Sequence, residues 1–306
     1  MAREPQKQIV KYNGFYPGLA RSRFLGVAGS FAKAVGCDIH SEPGILQAQQ
    51  TLAKDSGTTV VDKINVSVHT SSGWSYHFGD AGKIYKRTAA GSWSVLQTVT
   101  SGPAILGAAE HSDGYVYFTY SNKVGRLLVS SDAYTESWNT LTNTNSGYGP
   151  VIYHEKVDAI FIGNVELVAK VDSASAFTAN ALDLKGAYRI RDIAPLDIDV
   201  LVGATDKGNL NKSVIFQWDG VRSSWQFEWF VGDELKWMVN DRETVYVMLG
   251  GKGKIYTFPD FNDVKTQIPG DYTANNSFKS DPYSKVIFRG FLHFGVYDNS
   301  GNPFPN

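Results

Sequence analysis

The sequence contains one cysteine, Cys37, so no disulfide can form within the chain and no cluster of thiols is available to hold zinc. That poverty in thiols fits folding in a reducing cytosol. Long hydrophobic runs are missing as well. No stretch of eighteen apolar residues exists to span a bilayer. The best apolar run near the N-terminus, Phe24-Leu25-Gly26-Val27-Ala28-Gly29, is too short for a secretory signal and follows a polar, proline-containing lead. Charge of one sign is also lacking. With 29 Lys and Arg against 30 Asp and Glu, the net charge of −1 offers no global field for nucleic acid or an anionic membrane. The expectation is a chain with neither as a partner, and with no signal peptide or transmembrane segment.

What the sequence does have is glycine and aromatic residues: 30 Gly, 17 Phe, 16 Tyr and 7 Trp in 306 residues. That composition suits short strands joined by many tight turns. An internal repeat organises them. Gly82-Lys83-Ile84-Tyr85 recurs as Gly253-Lys254-Ile255-Tyr256, with weaker copies between and after. Aligning Ile84, Leu127, Val168, Ile215, Ile255 and Val296 gives steps of 43, 41, 47, 40 and 41 residues. A four-stranded propeller blade takes about 40 to 45 residues.

Each unit follows one order. An apolar strand comes first: Ile64 to His69, Ala104 to Ala109, Val151 to His154, Ile190 to Pro195, Leu235 to Val239, and Lys285 to Phe288. After a Gly, Asp or Asn turn comes a second strand: Trp74 to Phe78, Tyr115 to Tyr120, Ala159 to Ile162, Val200 to Gly203, Val245 to Leu249, and Phe291 to Phe294. The Gly-Lys-Ile-Tyr type of strand is third, and a fourth often opens near a tryptophan, as at Trp93, Trp138 and Trp225. Short strands, even spacing and turn residues at fixed offsets predict an all-β chain: a β-propeller of about six four-stranded blades over residues 59–306. A β-sandwich would not require the same third-strand pattern six times over. The sixth unit stops short of a fourth strand. Gln8-Ile9-Val10-Lys11-Tyr12 is the candidate to close it from the other terminus.

Residues 1–58 form a non-repeat arm. Its first 33 residues carry six Lys or Arg against one Glu. The plain reading is a solvated, extended segment; the functional one docks Arg3, Lys7, Lys11, Arg21 and Arg23 on an acidic neighbouring subunit. Ser41-Glu42-Pro43-Gly44 reads as a turn, and a short helix is expected over Ile45 to Ala53.

The run Gly36-Cys37-Asp38-Ile39-His40-Ser41-Glu42-Pro43-Gly44-Ile45-Leu46, then Leu52-Ala53-Lys54-Asp55-Ser56-Gly57 and Gly79-Asp80-Ala81-Gly82-Lys83-Ile84-Tyr85, resembles propeller-type structural proteins of tailed bacteriophages. In those proteins an Asp-Ile-x-x-x-Pro-Gly segment leads into a propeller. The resemblance covers residues 14 to 130 and continues afterwards only in repeat style. It implies a virion or tail-associated component and carries over no catalytic residue.

Local chemistry is sparse. A sialidase-type site needs three arginines converging on a carboxylate. Arg191 and Arg289 fall at or near inner strands with Arg189 close by, and salt bridging is the plainer role for them. His69, His111 and His154 recur in phase with the repeat, at the ends of three inner strands. Their plain role is structural; their functional one is a ring of imidazoles at a channel mouth, able to bind a metal or sense pH. Trp218, in Trp218-Asp219-Gly220, and Trp225 are blade-packing residues or, if exposed, platforms for a sugar ring or a protein partner. No phosphate loop, metal-ligand pair or nucleophile–base constellation is present, so no cofactor or metal is expected. The sequence therefore reads as a non-enzymatic virion or adhesion protein. Its partners would be other virion proteins or copies of itself, and a host-surface glycan or receptor. The alternative is a glycan-binding or sialidase-like, glycan-cleaving propeller; a third reading is a stand-alone interaction module.

Overall fold

The computed structural model describes residues 37–38, 47–48, 60, 62–87, 91–250, 254–258, 262–264, 285–288 and 291–294. The chain divides into two units, Met1–Ser56 and Gly57–Asn306. In the first unit the described residues are a two-stranded antiparallel sheet, β1 (Cys37–Asp38) with β2 (Gln47–Ala48), in which Cys37 faces Ala48. This corrects the helix expected over Ile45 to Ala53. The helix propensities of Gln and Ala are a weak preference, and backbone pairing with Cys37–Asp38 overrides it at Gln47 and Ala48. The arm cations Arg3, Lys7, Lys11, Arg21 and Arg23 lie outside the described residues, as does the closing strand expected over Gln8 to Tyr12.

The second unit is a β-propeller. Five four-stranded antiparallel sheets follow one another in sequence, each in simple up-and-down order. The first holds β3 (Ile64–His69), β4 (Ser75–Gly79), β5 (Lys83–Arg87) and β6 (Trp93–Thr98). The second holds β7 (Ile105–Glu110), β8 (Tyr115–Tyr120), β9 (Lys123–Leu128) and β10 (Ala133–Thr140). The third holds β11 (Val151–His154), β12 (Ala159–Asn164), β13 (Leu167–Val171) and β14 (Phe177–Asp183). The fourth holds β15 (Tyr188–Leu196), β16 (Asp199–Asp206), β17 (Ser213–Trp218) and β18 (Phe227–Val231). The fifth holds β19 (Leu235–Asp241), β20 (Thr244–Leu249), β21 (Lys254–Phe258) and β22 (Asn262–Val264). In the sixth place a hairpin of β23 (Lys285–Phe288) and β24 (Phe291–Phe294) is described.

Burial explains the sequence pattern. Middle strands are covered on both faces by adjoining blades, so they read as continuous apolar runs; all of β12 is buried. Outer strands have one face in solvent and alternate, as β10 does. The cores therefore lie between blades. Phe78 and Phe118 join the first blade to the second, and Phe161, Phe216 and Trp218 join the third to the fourth. Trp237 and Met248 of the fifth pack with Leu292 of the hairpin. Each large side chain buried there contributes roughly 1.5–3 kcal/mol. Close approach of inner strands demands glycine at one point: a Cβ on Gly107 of β7 would lie 2.3 Å from the Gly149 carbonyl oxygen beside β11.

Candidate functional site

The inner strands β3, β7, β11, β15, β19 and β23 line a channel of about 760 Å³. Its walls are largely apolar, with Ile64, Val66, Ala108, Val151, Ile193 and Met238 among the lining residues. Charge gathers at the leading end, where the inner strands begin. There the pairing of inner with second strand skips one residue at the same place in four blades: between Ile64 and Val66, Ile105 and Gly107, Ile190 and Asp192, and Leu235 and Trp237. The bulged residues are Asn65, Leu106, Arg191 and Lys236. A bulge leaves its extra residue unpaired and redirects the side chain. In the first blade it sends Asn65 to the next blade, where its amide donates to the Ile105 carbonyl at 2.9 Å.

In the fourth and fifth blades the bulges carry cations. Arg191 Nη2 lies 3.3 Å from Glu234 Oε1, and Lys236 Nζ donates to Glu234 Oε2 at 2.6 Å. The Arg191 guanidinium also lies over the Tyr148 ring, 4.3 Å from its centroid. Next to Arg191, Asp192 is buried. It accepts hydrogen bonds from the backbone N–H of Ile193 at 3.0 Å and of Met238 at 2.7 Å, and it pairs with Lys285 of β23. Burial pulls the Lys285 ammonium well below the ordinary lysine pKa. One carboxylate thus ties three blades together.

The trailing end, where the inner strands finish, is built differently. His111 is buried with Nδ1 3.1 Å from Asp113 Oδ1 and Nε2 3.7 Å from Asp158 Oδ1 of the next blade. Asp158 also accepts from Ser112 Oγ at 2.5 Å and Tyr153 Oη at 2.9 Å, and these bonds hold its carboxyl below the usual range. Burial would raise Asp113, but donors on Ser175 and Tyr117, each at 2.6 Å, keep it low. Burial and the bond to Asp113 push the Tyr117 phenol up to about 12. His154 Nε2 meets the Asp199 carbonyl of the following blade at 2.9 Å, and burial lowers its pKa. In the first blade, Ser71 donates from its N–H and hydroxyl to Glu110, at 2.7 and 2.9 Å.

The three phased histidines therefore occupy equivalent strand ends but do not form a ring. None lines the channel. His111 and His154 are turned sideways between blades, and exposed His69 bonds Ser75 Oγ of its own hairpin at 2.9 Å. Among the described residues no group of three His, Cys, Asp or Glu is placed to hold a metal. Trp218 is 0 % exposed, its indole N–H donating to the Arg222 carbonyl at 2.6 Å and its ring edge-on to Phe161. It packs blades and cannot serve as an exposed platform. Trp225 is half-buried against Phe216, before β18 rather than in it. Arg191 does reach the channel; Arg189, on β15, is not among its lining residues, and Arg289 lies outside the described residues. Asp192, Glu234, Lys236 and Lys285 were not foreseen. The available signal was an Arg-Asp pair set within the apolar strand Ile190 to Pro195, a placement that burial permits only with partners.

No protein-family model and no curated protein matches the chain. Solved structures do. A catalytically inactive virginiamycin B lyase from Staphylococcus aureus with quinupristin superposes with a TM-score of 0.59 at 15 % identity, over 84 % of this chain and 83 % of that one. A streptogramin B lyase gives 0.52 at 13 % identity, over 84 % and 78 %. At such identities the likeness is one of fold.

Proposed function

We propose that this chain is a non-enzymatic structural and adhesion component of a tailed-phage virion, with the propeller as its binding and assembly platform. The observation that carries the non-enzymatic part is the engagement of the ionisable side chains around the channel. Asp192 with Lys285, Glu234 with Arg191 and Lys236, and Asp158 and Asp113 with hydroxyls and His111 hold blades together rather than standing free as nucleophile or base. The virion assignment rests on the resemblance of residues 14 to 130. A closed radial array gives a rigid frame on which loops and outer strands are free to vary, and that suits a protein that must bind rather than turn over.

The assembly role is tested by the solution mass of the full chain, by light scattering, beside a variant with Arg3, Lys7, Lys11, Arg21 and Arg23 all changed to Gln. A defined oligomer that the variant loses supports the arm as an assembly element. Monomers in both cases remove self-assembly through the arm. Virion association is tested by antibody labelling of purified particles of the phage encoding the chain; unlabelled particles overturn it. The second reading, a glycan-binding or glycan-cleaving propeller, is favoured by one observation, Arg191 beside the channel. Turnover of a fluorogenic sialoside, abolished by Arg191→Lys, would establish it in place of the first.

A further inference from the structure

The basic side chains at the leading end of the channel are not matched one to one by carboxylates among the described residues. Among the described residues Arg191, Lys236 and Lys285 meet two carboxylates, Asp192 and Glu234. Both carboxylates are occupied. Asp192 takes two backbone N–H groups and Lys285, while Glu234 takes Lys236 and Arg191. Arg191 is not satisfied in return. It is 8 % exposed, and its buried Nε–H has no acceptor. A guanidinium presents paired donors matched to the two oxygens of a carboxylate, and the contact of Arg191 with Glu234 is made at Nη2, 3.3 Å from Oε1, and not at Nε. A buried donor left without an acceptor is costly, so a native structure that keeps one calls for an explanation.

The bulge at Arg191 adds the second half of the argument. It places the guanidinium beside a channel of about 760 Å³, within the size range of small-molecule sites, whose walls beyond the charged end are largely apolar. We propose that the channel is a binding site for a small organic monocarboxylate. Its carboxylate is taken by Arg191, and its apolar body lies along the walls that include Val66, Val151, Ile193 and Met238. The planar donor edge of the guanidinium selects a carboxylate. This site is independent of the assembly role.

The test uses the full chain with hexanoate and its neutral amide, hexanamide, as probes. Calorimetry should give saturable binding of hexanoate and at least about 10-fold weaker binding of hexanamide, as expected for loss of a charged hydrogen bond. In nitrogen-15 spectra the Arg191 Nε–H resonance should move with hexanoate and saturate at the same concentration. Glu234→Gln removes the competing carboxylate and should tighten hexanoate binding by about 5-fold. Arg191→Met should abolish it. If Arg191→Met fails to fold, the Arg191 resonance and Glu234→Gln decide. Equal binding of the two probes, binding that leaves the Arg191 resonance in place, or no binding up to about 10 mM, where even weak sites fill, each overturns the proposal.

Discussion

The two ends of the channel solve one problem, holding neighbouring blades in register, by different chemistry. The trailing end uses hydroxyl, phenol and imidazole donors on carboxylates and carbonyls: Ser112 and Tyr153 on Asp158, Tyr117 and Ser175 on Asp113, His154 on the Asp199 carbonyl. The leading end of the fourth and fifth blades uses ion pairs carried on bulges. Neutral donors can be buried beside a carboxylate without leaving a second charge to satisfy. Ammonium and guanidinium groups bring several donors each and must be matched in number as well as position. Where the match is incomplete, as at Arg191 Nε, a buried donor is left without an acceptor.

The comparison breaks most readily at Asp192. Changing it to Ala strands Lys285 without a counter-charge and leaves the Met238 N–H without its acceptor. The expected loss is about 3–5 kcal/mol in denaturant unfolding, the usual cost of breaking a buried pair from one side. A loss below about 1 kcal/mol would mean that water reaches the pair and that the leading end is not a dry staple.

A smaller effect is expected midway along the channel. Gly107→Ala drives a methyl into the Gly149 carbonyl and Val151 of the next blade, where backbone cannot yield cheaply. About 1–3 kcal/mol should be lost, as for other overpacked cores. The wild-type midpoint would instead show that β7 and β11 have room to separate, and that charge alone sets the width of the channel.

How much of this was legible beforehand follows from physics that is local or not. Val151–His154, Tyr115–Tyr120, Lys285–Phe288 and Phe291–Phe294 are strands with the bounds read from sequence, because turn residues and apolar runs mark them within a few positions. Arg191 was visible as a charged residue in an apolar strand. Its neighbours Glu234, Lys236 and Lys285 were not, because a bulge breaks the two-residue period and the partners come from later blades. The phase of His111 and His154 was readable from spacing, whereas the sideways turn of their rings depends on the neighbouring blade. Trp218 packs between blades, as its plain reading has it, but the partner it meets from the end of β17, Phe161, is a contact that no local pattern shows.

Sharpening the trailing end calls for acid. Burial holds His154 below its ordinary 6.5, and His77 shifts the same way for the same reason. Between the lowered folded value and 6.5 the unfolded chain binds more protons than the folded one, so stability rises with pH there. The contribution is complete above about pH 6.5 and is lost as pH falls through the folded value. The melting temperature should therefore decline on acidifying below 6.5, and His154→Gln should show a shallower decline, the remainder belonging to His77. Parallel curves for the two proteins would mean that folding leaves the His154 pKa unshifted.

The smallest effect belongs to an ion pair at the trailing end that lies in solvent. Lys156 reaches Asp197 across the third and fourth blades, with both side chains more than half exposed. The pair raises the Lys156 pKa through its hydrogen bond and charge, yet a surface pair in water and salt gives little net stability. Lys156→Gln should leave the melting temperature unchanged within error at physiological salt. His154 lies two residues away and the Asp199 carbonyl two residues from Asp197, so the variant tests the buried bond and the exposed pair on the same blade boundary. If Lys156→Gln lowered the midpoint by several degrees, the trailing end would owe its register to charge after all. The contrast between the two ends would then be one of exposure rather than of chemistry.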